Sequence, residues 1–417
     1  MLSKGSGFLS QNIEQIRDNN SQNTKLKVGI LGISLFLQAA SCNVAAIPQI
    51  VATYPNMTTT TIQALFTIPS FTVMLFILFS NAFIQWFGKR NTVIIGLLAT
   101  LIGGVGPFFV SNFILVVISR LLVGAGIGLY TSLGVSLIGD CFSGKERKSL
   151  IGIQGAMGTL GQSSLTFVAG CLLGISWRST FLYFLFVIPV LLLFMRGYTK
   201  TIENETSVVE EKEAAEETSV SETGARISPS IWVSFVMLFL YFAAFLLEQT
   251  NSALVVSQNK LVNQNWLSAE IAIAGLIGAA FSAGYSKIFM VLKHYTPVVA
   301  VGLCALGFVL SAQADNMLVF FFALVLMMLG NLIIPYVYDV ILGEVDHSIS
   351  NLVISIAQIF NNLGAFASPY VIAFLSSVVN KKTAVDQMMI GAFILAVVAL
   401  VFLVMALFRK KKAMKVA

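Results

Sequence analysis

The chain has 417 residues, of which 57% are apolar and only 11% charged, against roughly 25% charged in an ordinary soluble domain. Its 25 Lys and Arg outnumber its 19 Asp and Glu, but the positive residues stand beside apolar runs rather than in one patch. That placement excludes a nucleic-acid-binding surface.

From Val28 to Gly88 there are 61 consecutive residues without Asp, Glu, Lys, Arg or His. A soluble domain needs charge on its outer faces, whereas a charge at mid-bilayer costs several kcal/mol. Similar gaps recur at 91–119, 121–139, 149–177, 179–195, 227–247, 295–314, 316–338, 348–380 and 387–408. A crossing needs ~20 apolar residues to span ~30 Å of hydrocarbon. The pattern predicts an all-α polytopic membrane protein with twelve transmembrane helices. They are placed at 28–50, 62–86, 92–110, 113–138, 150–173, 179–196, 230–252, 267–290, 296–314, 317–342, 349–375 and 387–408.

Residues 1–27 are polar and mixed in charge, with no cleavable signal peptide, so the first span is expected to serve as its own insertion signal. Residues 28–196 form the first six-helix bundle. Residues 197–229 carry eight glutamates between Glu203 and Glu222 and read as a solvated acidic linker. Residues 230–408 form the second bundle, and 409–417 a basic tail. Lys and Arg concentrate on the side of the termini and the linker, leaving only Arg178, Lys260, Lys381 and Lys382 opposite. The positive-inside rule then puts both termini in the cytoplasm of a multi-pass cell-membrane protein. Pro48, Pro69, Pro189, Pro335 and Pro369 inside spans predict kinks or softened hydrogen-bond ladders.

The halves look duplicated. An offset of 204 aligns Asn112 with Asn316, Gly126 with Gly330 and Gly139-Asp140 with Gly343-Glu344, and 203 aligns Leu160-Gly161 with Leu363-Gly364. Two parallel six-helix repeats are the plan of one large transporter class.

Three segments carry a family resemblance. The loop after the second helix ends in Gly88, Lys89 and Arg90, with Asn81 and Gln85 where a Gly and an Asp are usual, and Trp86 where an Arg is usual. The fourth helix holds Arg120, Gly124, Gly126 and Gly128, and the third segment runs from Asp140 through Glu146-Arg147 to Trp177-Arg178. Over nearly its whole length the chain resembles the major facilitator superfamily, closest to bacterial twelve-helix drug:proton antiporters. The Gly-Pro of those antiporters' fifth helix is here Leu165-Thr166. The resemblance implies two pseudo-symmetric bundles, a monomer, and a cytoplasmic gate at Asn81, Gln85, Gly88, Lys89 and Arg90. Gln85 supplies no charge, so that gate is expected to be weak and held by Lys89, Arg90 and hydrogen bonds.

Arg120 lies about 12 Å deep by helical rise and must find partners inside the bundle. It is read either as a coupling residue, as the resemblance implies, or as a structural donor to carbonyls of a neighbouring helix. Carboxylates carry protons naturally, since burial favours their neutral form and an approaching guanidinium the charged one. Glu248 and Asp339 are the candidates within spans, against headgroup snorkelling for Glu248 and a cytoplasmic-gate hydrogen bond or ion pair for Asp339. Glu270 reads instead as the start of the eighth helix after Ser268. Gln38, Asn43, Gln154, Gln162, Gln358, Asn361 and Asn362, on helices that line the cavity in the family, could bond a substrate or a neighbouring helix. Tyr130, Tyr241, Tyr336 and Tyr338 pair a ring with a hydroxyl and suit amphipathic or cationic molecules, or ordinary packing. Gly152, Gly155, Gly158 and Gly161 form a small-residue stripe for close helix contact.

The four cysteines are far apart and the two histidines form no cluster, so no metal and no cofactor is expected. No HExxH, no Ser/His pair within spans and no phosphate loop point to an enzyme. The expected partners are protons, a small-molecule substrate and lipid. Proton-driven export of small amphipathic compounds is the leading reading, and proton symport or facilitated import of a nutrient or other small solute the alternative. Short loops disfavour a non-transporting sensor or scaffold.

Overall fold

The computed structural model describes residues 23–142, 144–204, 228–261, 264–345 and 347–416. Among them the regular structure is entirely helical. The α-helices are α1 (Thr24–Ile33), α2 (Ile47–Thr53), α3 (Thr59–Phe109), α4 (Phe113–Cys141), α5 (Gly144–Leu173), α6 (Val187–Gly197), α7 (Pro229–Gln258), α8 (Gln264–Ala283), α9 (Tyr285–Leu292), α10 (Thr296–Ala312), α11 (Met317–Leu329), α12 (Ile333–Glu344), α13 (His347–Val378) and α14 (Ala384–Val416). Eleven helical runs among the described residues are long and apolar enough to cross a bilayer. One of them, the 51-residue α3, is two rods meeting at Gly88, whose φ of 78° is left-handed and suits only glycine without strain. The twelve expected rods are therefore all present.

Backbone breaks follow the prolines. Pro48, Pro189, Pro297 and Pro335 stand at the second or third position of α2, α6, α10 and α12, each just after a 3-10 turn. A proline lacks the N–H that the carbonyl four residues earlier needs, and its ring crowds that carbonyl. The tighter i→i+3 turn restores part of the lost bonding. The first span is the most altered. The sequence predicts one helix over 28–50, but α1 ends at Ile33 and three short 3-10 turns intervene before α2. Pro69 and Pro369, in contrast, lie inside the continuous helices α3 and α13.

The described chain packs as two compact units. Of the described residues, the first comprises 23–40, 75–142, 144–162 and 183–204, and the second 41–74, 163–182, 228–261, 264–345 and 347–416. Within the second unit, end segments of the first half of the chain pack on the second half. The Thr67 hydroxyl donates to the Phe366 carbonyl at 3.4 Å, and the Phe71 and Phe366 rings lie 4.9 Å apart.

Each unit repeats the other's internal contacts. In the first, Gly103 of α3 abuts the backbone of Ser119 and Val123 in α4. In the second, Gly307 of α10 abuts Ala323 and Met327 at the same offset of 204. Gly126 packs on Thr100 as Gly330 packs on Cys304, and Gly161 packs on the Leu35 backbone as Gly364 packs on that of Phe239. Asn112 and Asn316 cap α4 and α11 by accepting from Ile114 N at 2.9 Å and Val319 N at 3.0 Å. One pair is exchanged: Gly104 faces the Phe184 ring, whereas Phe308, its counterpart, faces Gly391. Of the glycine stripe in α5, only Gly161 is in tight contact. Gly158 is 3.7 Å from the Ser34 carbonyl, and nothing lies within 4 Å of a Cβ on Gly152 or Gly155.

Candidate functional site

The interrupted first span sets the chemistry of the first unit. Breaking a helix frees carbonyls that hydrocarbon cannot satisfy. The Arg120 guanidinium, with no solvent exposure, donates from Nη2 to the Ala40 carbonyl, and the Tyr183 hydroxyl donates to Ala39 O at 2.6 Å. Arg120 thus bonds a neighbouring backbone, which is one of its two sequence readings. Gln38 is exposed within the same break. Tyr130 is fully buried, with its ring against Gly96, and Gln154 lies buried against Gly134. Gln162 is half-buried on α5.

At the terminus-side end of this unit the cations have partners. Lys89 pairs with Asp140 at 2.8 Å, and Lys27 pairs with Glu146. The Arg90 side chain donates to Tyr198 O at 2.9 Å and Met195 O at 3.4 Å, while its backbone N–H donates to Glu203 Oε1 at 2.9 Å. Glu203 thus satisfies a free donor at the start of the rod that follows Gly88, where the helix dipole favours an anion. Asn81 and Gln85 are exposed at the end of the preceding rod.

In the second unit several of the polar groups bond one another. The Tyr338 hydroxyl is hydrogen-bonded by Gln358 and Asn361 of α13, three residues the sequence singled out. Asn362 instead donates to the Gln358 carbonyl within its own helix at 2.9 Å. Asn43 donates to the Thr180 hydroxyl at 3.2 Å and keeps a buried Oδ1 without a partner. The Tyr241 hydroxyl donates to Asn331 Oδ1 at 3.1 Å, within the 3-10 turn between α11 and α12. Tyr336 is buried, its ring 6.4 Å from Phe289 and 6.1 Å from Phe402.

The two candidate carboxylates differ sharply. Asp339 is exposed and accepts a 3.4 Å hydrogen bond from Tyr285. Glu248 is 0% exposed on α7, and neither carboxyl oxygen has a hydrogen-bond partner. The snorkelling expected as an alternative for Glu248 does not occur. Glu270 does not begin its helix, because α8 starts at Gln264 and runs past Ser268.

Sequence reasoning passed over Gln63, Asn251 and Gln387. Gln63 Nε2 donates to Asn251 Oδ1, and Asn251 Nδ2 donates to Gln387 Oε1 at 2.8 Å. The only signal was an amide near the end of each of three separate spans. Their meeting is a tertiary fact.

Residues 29–369 match the Major Facilitator Superfamily. No individual curated protein is similar enough in sequence to match. Among solved structures, a mutant of the nucleoside transporter NupG aligns with a TM-score of 0.71 and 12% identity, over 91% of this chain and 99% of its own. A mutant of the peptide transporter POT aligns at 0.69 and 12%, over 92% and 94%. A D-xylose-proton symporter aligns at 0.68 and 15%, over 90% and 95%. At such identities these likenesses speak for the fold. With the family match over most of its length, the twelve rods and the repeated contacts of its halves, this chain belongs to the Major Facilitator Superfamily.

Proposed function

We propose that the protein is a proton-coupled secondary transporter that works by alternating access and moves a small organic solute together with a proton. One observation carries this reading: Glu248 is wholly buried with both carboxyl oxygens unpaired. Without a partner in a low dielectric, the charged and neutral forms of this side chain differ greatly in free energy. Gaining or losing a proton there changes the stability of the packing around it, which is what coupling requires. Exposed Asp339, with its Tyr285 bond, is the weaker candidate. Arg120 serves by holding the broken first span in shape.

Symport is favoured over drug export for two reasons. The proteins with similar folds include a D-xylose-proton symporter, a nucleoside transporter and a peptide transporter. The fifth-helix Gly-Pro of the antiporters is absent, with Leu165-Thr166 in its place. In this reading the Tyr338, Gln358 and Asn361 set supplies aromatic and amide contacts to the solute. Lys89 and Arg90 brace the terminus-side gate, and both termini lie in the cytoplasm. Export of amphipathic compounds is the second reading, favoured by 33 Phe and 11% charge.

The test is a proteoliposome assay with an imposed pH gradient and four solute groups: dipeptides, nucleosides, pentoses and lipophilic cations. Proton flux in the direction of the solute is expected. Flux opposite to a lipophilic cation would establish export instead. Glu248→Gln should abolish accumulation against a gradient while leaving counterflow exchange. Undiminished accumulation in that variant refutes the role given to Glu248.

A further inference from the structure

Gln63 lies near the start of α3, Asn251 near the end of α7, and Gln387 in the first turn of α14, all at the face that carries the connections at 54–58, 259–261 and 379–383. Asn251 is fully buried and is the hub of the chain. Its carbonyl oxygen accepts from Gln63, and its amide nitrogen donates to Gln387 at 2.8 Å and approaches Ala384 O at 3.5 Å. The chain ties the first half of the sequence to two helices of the second, and all three residues belong to one compact unit. No charge takes part.

Unsatisfied oxygens on α7 flank this chain, most of them on its inner side. Glu248 is three residues before Asn251, about 4.5 Å along the axis. Both its carboxyl oxygens lack partners, as do Gln249 Oε1 and Ser252 Oγ, all buried. Further in, Gly391 of α14 packs on Leu247 of α7, so the two helices run side by side past Glu248. Buried polar atoms are nearly always bonded to protein or water. Three orphan oxygens on the inner side of a closed amide chain mark a place that water reaches when the chain parts.

We propose that Gln63, Asn251 and Gln387 form a neutral clasp that closes this face, seals Glu248 from water, and must open for Glu248 to be reached from that side. Neutral amides suit this task, because side-chain hydrogen bonds between membrane helices are modest in strength and parting them leaves no bare charge. Asn251 spends both of its ends, so it cannot be lost without freeing both partners. The proposal deepens the transport reading by assigning the barrier on one side of Glu248.

The test measures access rather than transport. Full-length protein in liposomes is treated with a water-soluble carbodiimide and glycine ethyl ester, and amide formation at Glu248 is followed by peptide mass spectrometry, with Glu248→Gln as the blank. Gln63→Leu and Gln387→Leu each remove one bond and should raise the labelling rate about tenfold, the scale of one lost hydrogen bond. Asn251→Ala should raise it further. Conversely, Gln63→Cys with Asn251→Cys, bridged by a short bifunctional thiol reagent, should halt labelling, with reagent-treated wild-type protein as the control for native cysteines. Unchanged rates in both leucine variants, each still monodisperse in detergent, would overturn the clasp. Raised rates alongside undiminished accumulation in Glu248→Gln would leave the clasp standing and remove only the proton role of Glu248.

Discussion

Arg120 and Glu248 show two answers to the same problem of a polar group in hydrocarbon. Arg120 finds a carbonyl released by the broken first span. Glu248 finds nothing. Replacing Arg120 by Leu strands the Ala40 carbonyl, and an unsatisfied buried acceptor costs about 1–3 kcal/mol. Arg120→Leu should therefore lower the unfolding midpoint in detergent, while Arg120→Lys, which keeps a donor, should recover part of the loss. An unchanged midpoint in Arg120→Leu would deny the bracing role. Both residues were legible in the sequence as lone charges within apolar runs, because hydrocarbon makes every charge conspicuous. Gln63 and Asn251 were not, since an amide in a span is common and its partner is set by packing rather than by spacing.

At the scale of the element, glycine decides how closely helices approach. Gly161 and Gly364 each sit against the backbone of the helix they cross, where an added Cβ would collide with Leu35 or Phe239. Gly161→Val and Gly364→Val should each destabilise by about 1–3 kcal/mol or more through overpacking. Gly155→Val has open space and should be neutral or gain a few tenths of a kcal/mol, because glycine is the poorer helix former. Thermal melts of the three variants check the contrast, and a Gly155→Val loss as large as the others would contradict it. The stripe of four glycines was visible in the sequence, but its period says only that they share a helix, not which of them meets a neighbour. The prolines were better guides, although the sequence predicted kinks where the first span is instead broken into short 3-10 turns.

For the whole molecule, hydrophobic run length gave twelve rods and the offset of 204 gave the repeat. Neither could show that Ser41–Met74 and Ser163–Leu182 pack with the second half of the chain. That grouping rests on contacts such as the clasp and the Phe71–Phe366 pair, between residues far apart in sequence. The arrangement of charges around the rods makes one further prediction. Epitope tags inserted in the connection between α7 and α8 and at the chain's end should be reached from opposite sides of the membrane, the latter from the cytoplasm. Labelling of both from one side would contradict the five crossings between that connection and the tail.

The exchanged pair has a consequence for how the two halves have aged. Where Gly104 meets Phe184, the corresponding seam in the other half has Phe308 against Gly391. Each seam is filled by a single ring, supplied from opposite banks. Transplanting Ser179–Gly197, the 3-10 turn together with α6, into the place of α14 would set ring against ring at that seam, and the reverse graft would leave a hole. Descendants of one duplicated unit have thus become left and right gloves at this point, no longer spare parts for one another.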